Sequence, residues 1–239
     1  MSAKHRLIFL SLLALLFALT LSGVAFGQQT TEEFVSGGFA KMAKGDLDGA
    51  IADFTKAIEL NPKDAGAYEN RASARMGKGD LDGAIADYTK IIELKPRHLN
   101  PEVYENRSEV KVAKGDYDGA IADLTKAMEM DVTGKTYYYY FLRGKVKVAK
   151  GDFDGAISDY SKAIKLYPKY EVAYESRGVA KKAKGDLDGA MADYSKAIEL
   201  DPQFKIAYID RGNVKKAKGD QAGADADFAQ AAKIKEPCP

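Results

Sequence analysis

Lys-Gly-Asp occurs six times in this 239-residue chain, at Lys44, Lys78, Lys114, Lys150, Lys184 and Lys218, at spacings of 34, 36, 36, 34 and 34 residues. A fixed period of this size is the mark of stacked repeats, each too small to bury its apolar face without a neighbour. Aligned on their glycines, the copies share one plan. A helix of about 14 residues ends at the Gly, a second begins after the Asp, and a proline often closes the unit. Gly79 can adopt the left-handed conformation that ends a helix. Asp80 stands where it caps the next helix, and Asp82 puts negative charge in its first turn. Pro62, Pro96, Pro168 and Pro202 stop the second helices; Val132 replaces proline in the third unit, and Pro237 comes one position late in the sixth. The longer spacings fall in the inter-repeat turns Arg97–Pro101 and Asp131–Thr136. One glycine per repeat (Gly49, Gly83, Gly119, Gly155, Gly189, Gly223) lies in the first turn of the second helix, where it costs about 1 kcal/mol relative to alanine. Close approach of helices is the one explanation the sequence suggests.

Composition narrows the function. The chain carries net charge +1 with 30% charged residues, against the basic stripe that nucleic acid requires. Two histidines (His5, His98) and one cysteine (Cys238) are too few for a disulfide framework or a Cys/His zinc site, and no cofactor or metal is expected. Lys4 and Arg6 precede the uncharged run Leu7–Leu21, and Ala25 and Gly27 are spaced for cleavage before Gln28. Residues 1–27 therefore read as a signal peptide, with an uncleaved anchor through residues 7–26 as the alternative. In either case the basic end stays cytoplasmic and the rest crosses the membrane, so the chain is expected to be exported, periplasmic or secreted. No cysteine follows the run to accept a lipid.

The stretch AYENRASARMGKGDLDGAIADYTKIIELKP, Ala67 to Pro96, resembles a tetratricopeptide repeat. The early aromatics are Phe34, Tyr68, Tyr104, Tyr140, Tyr174 and Tyr208. The small residues four further on are Gly38, Ala72, Ser108, Gly144, Gly178 and Gly212. The second-helix alanines are Ala50, Ala84, Ala120, Ala156, Ala190 and Ala224. The resemblance spans residues 31–235, as repeats 31–64, 65–100, 101–136, 137–170, 171–204 and 205–235, with 236–239 as a short tail. It implies an all-α, right-handed α-solenoid of six helix-turn-helix repeats, with a concave face built mainly from first helices that binds segments of other proteins, and no reaction. The family usually has leucine where this chain has Arg71, Arg107, Arg143, Arg177 and Arg211, and often tyrosine where it has Lys41, Arg75, Lys111, Lys147, Lys181 and Lys215.

The second-helix column Ile51, Ile85, Ile121, Ile157, Met191 ends at Asp225, and the columns beginning Leu47 and Ile58 end at Gln221 and Ala232. Ala224, Phe228 and Ala231 stay apolar, the pattern of a terminal cap. Hairpin arithmetic sets Arg71 opposite Asp87, Arg107 opposite Asp123, Arg143 opposite Asp159, Arg177 opposite Asp193 and Arg211 opposite Asp227. These read as structural ion pairs, since buried charges are normally paired. In the first repeat Gly37 replaces the arginine opposite Asp53, so that pair is expected to be missing and the hairpin looser.

Tyr137–Leu142 is a run of four tyrosines, a phenylalanine and a leucine, too apolar for one helix face. In the frame Tyr140 is the core aromatic, Tyr137 and Tyr139 are expected against the preceding unit or its turn, and Tyr138, Phe141 and Leu142 face the groove by resemblance. Aromatic clusters of this kind mark interaction sites when exposed; the alternative is that the longer preceding turn covers them. The other groove positions are Glu69, Asn70, Glu105, Asn106, Glu109, Lys145, Glu175, Val179, Ile209 and Asp210, an acidic and apolar set suited to a partner with basic and apolar residues. The carboxylate clamp of chaperone-binding members is not supported, because Val35, Glu69, Glu105, Glu175 and Ile209 hold the early positions and Lys145 stands alone. Asn106-Arg107-Ser108 matches a glycosylation pattern by chance, mid-helix. After signal removal only His98 remains, with no nucleophile motif around it, and Ser161 and Ser195 sit at homologous positions, so an enzyme is not expected. Two readings stay open: an exported scaffold holding a peptide or protein segment, and a self-associating solenoid whose groove contacts another copy.

Overall fold

The aspartate that follows each hairpin glycine explains the neighbouring first-turn glycine. In the computed structural model Asp46 Oδ1 accepts a hydrogen bond from the Gly49 N–H at 2.9 Å. The same 2.9 Å cap joins Asp116 to Gly119, Asp152 to Gly155, Asp186 to Gly189 and Asp220 to Gly223. The carboxylate folds tightly over the first turn, and a Cβ at Gly155 would lie 2.1 Å from Asp152 Oδ2. These glycines therefore make room for the cap, and not for another helix. The hairpin glycines have φ between +77° and +85°, the left-handed region that a side chain disfavours.

The structure describes residues 30–94 and 99–234; the segment 1–27, Pro96, His98, Pro237 and Cys238 discussed above lie outside them. Twelve helices and no strand occur among the described residues. They are α1 (Thr31–Met42), α2 (Leu47–Leu60), α3 (Ala65–Lys78), α4 (Leu81–Leu94), α5 (Glu102–Lys114), α6 (Tyr117–Met130), α7 (Thr136–Lys150), α8 (Phe153–Leu166), α9 (Glu171–Ala183), α10 (Leu187–Leu200), α11 (Lys205–Ala217) and α12 (Gln221–Lys233). The fold is all-α and built of helix-turn-helix repeats. The chain forms two compact units that divide after Asp80.

In the first unit α1 packs on α2 and α2 on α3. Ala50, Phe54 and Ala74 form its core, with Val35, Met42 and Ile51 against them. A Cβ at Gly38 would lie 2.5 Å from the Phe54 ring, so this close crossing needs glycine. The expected gap at Asp53 is filled: Lys41 Nζ lies 2.7 Å from Asp53 Oδ2. The arginine partner is missing from this hairpin, as Gly37 requires, while the lysine one turn later reaches the carboxylate. Arg71 Nη1 donates to Thr55 Oγ1 at 3.1 Å.

In the second unit the helices α4 to α12 pack in chain order, each on the next; α7 also touches α9, and α9 touches α11. Ile85, Ile121, Ile157 and Met191 are half-buried, whereas Gln221 and Asp225 are exposed. Ala224 and Ala231 are buried. A buried aspartate organises each hairpin. Arg143 donates to Asp159 through Nε and Nη2, both at 2.8 Å, and Lys147 Nζ lies 2.7 Å from the same carboxylate. The Arg143 Nη1 donates to Thr125 Oγ1 on the preceding repeat at 2.8 Å, and its guanidinium lies 5.4 Å over the Tyr140 ring. The same set recurs as Arg107, Lys111, Asp123 and Thr89, as Arg177, Lys181, Asp193 and Ser161, and as Arg211, Lys215, Asp227 and Ser195. The arginine therefore ties its own hairpin together and fastens it to the one before. The Lys-Gly-Asp lysines add a solvent-exposed tie: Lys114 pairs with Asp82, Lys150 with Asp118, Lys184 with Asp154 and Lys218 with Asp188. Such exposed pairs contribute little to stability.

Candidate functional site

The four tyrosines differ in fate because successive helical residues point about 100° apart. Tyr139 is buried with Tyr104, Leu124 and Ala127 of the preceding repeat. Phe141 is also buried, at 7% exposure, with its ring centroid 5.8 Å from Tyr160 and 5.0 Å from Tyr170. Phe141 is therefore core, which corrects its expected place in the groove. Tyr140, expected as the core aromatic, is only half-buried, held between Arg143 and Lys162, each 5.4 Å from its ring. Tyr137 packs on Tyr167 and Tyr170 at 4.9 and 5.4 Å, in the turn after α8. The fold thus consumes Tyr139 and Phe141 fully and leaves Tyr138 and Leu142 at the surface of a groove.

That groove opens between α5 and α7, over α6. One cavity of about 420 Å³ is lined by Glu105, Ser108, Glu109 and Val112 of α5, Leu124 of α6, and Tyr138, Leu142, Lys145, Val146 and Ala149 of α7. A second of about 420 Å³ lies beside it, formed by Glu102, Glu105, Asn106, Lys135 and Tyr137–Tyr139. Glu105 and Tyr138 line both, and the Tyr138 hydroxyl donates to Glu105 Oε1 at 3.1 Å. Burial raises the Glu105 pKa despite this hydrogen bond, and the charges of Glu102 and Glu109 add to the effect. Burial and the Glu105 charge push Tyr138 up to about 12.

Six of the expected groove residues therefore meet here: Glu105, Asn106, Glu109, Tyr138, Leu142 and Lys145. Val112 and Val146 were missed; each lies one helical turn beyond a residue already singled out, Glu109 and Leu142, and that spacing was the available signal. Glu175, Val179, Ile209 and Asp210 lie further along, on α9 and α11. Ser176 Oγ donates to Glu175 Oε2 at 3.1 Å. Burial, with Asp210 nearby, pushes the Glu175 carboxyl up to about 7. Val179 is half-buried against Tyr194 and Val214, and Ile209 is exposed. Glu69 and Asn70 belong to α3 of the first unit, exposed and half-buried respectively. Among the described residues no group of three or more His, Cys, Asp or Glu is disposed to hold a metal, and no helix is long and apolar enough to cross a membrane.

Comparison with known proteins agrees with this architecture. A search of curated proteins returns no match. A tetratricopeptide-repeat protein from Parabacteroides merdae ATCC 43184 superposes with a TM-score of 0.69 at 22% identity, covering 88% of this chain and 82% of that one. PilW, a type IV pilus biogenesis factor, gives 0.66 at 18% identity, covering 87% and 94%. YrrB, a TPR protein with an unusual peptide-binding site, gives 0.54 at 27% identity, covering 76% and 92%. Profiles described as TPR repeat match residues 38–79, 144–185 and 180–219, and one described as tetratricopeptide repeat matches 65–98 and 101–131. With matched segments over more than half its length, the chain belongs to the tetratricopeptide-repeat family.

Proposed function

We propose that this protein is an exported, non-catalytic scaffold that holds a segment of another protein in the groove between α5 and α7. The observation that carries this reading is the cavity itself. Val112, Leu124, Leu142 and Val146 give it apolar walls, while Glu105 and Glu109 bring carboxylates to the same space. An extended or helical segment with apolar side chains and lysine or arginine beside them complements both parts. The peptide-binding site described for YrrB, a relative in fold at 27% identity, supports a binding role for the family's repeats. Export rests on the basic, apolar and small-residue order of residues 4–27.

The test is selection of a random-peptide library on the purified chain, followed by measurement of the winning peptide against variants. Peptides rich in apolar and basic residues are expected. A Leu142→Glu variant, which puts a charge among apolar walls, is expected to lose about tenfold or more in affinity. Equal binding by Leu142→Glu and Glu109→Lys would remove the α5–α7 groove from the function. Export is tested on the exported fraction, where the mature chain is expected to begin at Gln28; retention of the chain in the cytoplasm would refute it. Self-association through the groove is the competing outcome, seen as a concentration-dependent dimer lost in the same Leu142→Glu variant.

A further inference from the structure

Four times in the second unit the fold holds a guanidinium in the same way. Arg107, Arg143, Arg177 and Arg211 each donate from Nε and Nη2 to the two oxygens of one aspartate. Each also lies 5.4–5.7 Å over a tyrosine of its own helix: Tyr104, Tyr140, Tyr174 or Tyr208. A carboxylate beside a tyrosine face suits this planar, weakly hydrated cation.

The same pair of groups recurs at the surface, around an open space. The cavity of about 420 Å³ at the N-terminal ends of α5 and α7 is lined by Glu102, Glu105, Asn106, Lys135 and Tyr137–Tyr139, and no arginine is among them. Glu102 and Glu105 lie one turn apart on α5, so their carboxylates share a face. Tyr138 brings its ring from α7, and its hydroxyl donates to Glu105 Oε1 at 3.1 Å. That bond holds ring and carboxylate side by side, and it uses one site of a group that accepts about four hydrogen bonds. Glu105 and Tyr138 are half-buried, whereas Glu102 and Lys135 are exposed. The cavity is therefore open to water at Glu102 and Lys135 and more sheltered at Glu105, where a charge-assisted bond is worth more. Glu102 Oε2 accepts from Asn100 Nδ2 at 2.8 Å. Lys135 makes no ion pair among the described residues, and the two carboxylates outnumber it.

We propose that this cavity seats an arginine side chain of the docked segment, its guanidinium on the Glu105 carboxylate and against the Tyr138 ring. The inference rests on the segment-holding reading and adds to it which residue the segment carries and where. The apolar cavity shares Glu105 and Tyr138 with this one. The arginine thus lies next to the apolar side chain of the segment, on the side of the N-terminal ends of α5 and α7. A lysine ammonium would meet Glu105 as a point charge, but it neither pairs with a carboxylate in two places nor lies flat on a ring. The site therefore selects arginine over lysine.

The test uses the full chain, labelled for NMR at glutamate carboxyls and tyrosine rings. N-acetyl-arginine methylamide is the probe, and its lysine and citrulline counterparts and free arginine are the controls. Saturable shifts at Glu105 and Tyr138 are expected with the arginine amide. The lysine amide is expected to bind about threefold or more weakly, and the citrulline amide, of the same shape without the charge, not at all. Glu105→Gln is expected to weaken the arginine amide about tenfold, and Tyr138→Leu about threefold. Ring signals of the buried Tyr160 and Tyr194 report that each variant is folded. Equal binding of the lysine or citrulline amide, indifference to Glu105→Gln, or no saturable shift would each overturn the proposal. Tighter binding of free arginine than of its amide would also overturn it, by making the cavity a site for the amino acid and not for a segment. The amide carries no apolar side chain, so its failure removes the arginine site alone. The groove itself falls only if the peptide selection yields no binder sensitive to Leu142→Glu.

Discussion

Asp159→Ala is the sharpest perturbation available. The carboxylate is 1% exposed and receives three charge-assisted contacts, two from Arg143 at 2.8 Å and one from Lys147 at 2.7 Å. Removing it leaves two cations, with side chains only 14% and 17% exposed, without their anion. Breaking a buried pair in this way costs about 3–5 kcal/mol. Arg143 keeps Thr125 and the Tyr140 face, so the loss should lie near the lower end, about 3 kcal/mol. The assay is urea unfolding followed by far-UV circular dichroism, since the chain has no tryptophan, with hydrogen exchange resolving α7 and α8. The triple replacement Arg143→Met, Lys147→Met, Asp159→Leu removes all three charges and should recover most of the loss. Acid provides a second reading of the same carboxylate. Burial alone would raise its pKa, but the hydrogen bonds from Arg143 and Lys147 hold it below the ordinary value. Its contribution is therefore complete above the free-chain value of about 3.9 and is lost as pH falls through the lower folded value. Asp159→Asn should flatten that acid limb. A loss under about 1 kcal/mol for Asp159→Ala, with an unchanged acid limb, would show that the two cations rehydrate freely and that the cluster is not a buried one.

Gly155→Ala should destabilise by about 1 kcal/mol, against helix propensity, because the new Cβ displaces the Asp152 cap; in an Asp152→Ala background the same change should stabilise, and a denaturant double-mutant cycle reads the difference. At Gly144 a Cβ would meet the Tyr160 ring at 2.6 Å, so Gly144→Ala should cost about 1–3 kcal/mol by overpacking, measured by urea unfolding. Restoring the apolar columns with Gln221→Leu, Asp225→Ile and Ala232→Ile should expose a sticky face on α12 and give concentration-dependent association in sedimentation velocity, whereas the unaltered chain should lack association through that face.

The helix pairs were legible because period and punctuation repeat, and each Gly-Asp step has one cheap backbone solution. The arginine–aspartate pairing of the later hairpins was legible for the same reason, since two residues equidistant from a tight turn come opposite one another. The second cation was not. Lys111, Lys147, Lys181 and Lys215 read as replacements for a family tyrosine, and nothing in their spacing says that a four-carbon stem lets Nζ reach the aspartate already held by arginine. The first-turn glycines were opaque too, because the reason for Gly155 lies three residues away in the path of the Asp152 carboxylate. The tyrosine run was the hardest to read. Which of Tyr137–Tyr140 is covered depends on neighbours such as Tyr104, Leu124, Tyr167 and Tyr170, and a helical wheel cannot supply them.

The arginine that grips its own aspartate and reaches back to Thr89, Thr125, Ser161 or Ser195 gives successive junctions of the second unit the same tie. A hairpin lifted from one place and set into another would find the same hydroxyl waiting for it. Gene-level duplication or loss of a whole repeat is thereby tolerated at these seams, and the reach of the array can change during evolution without a new connector having to arise.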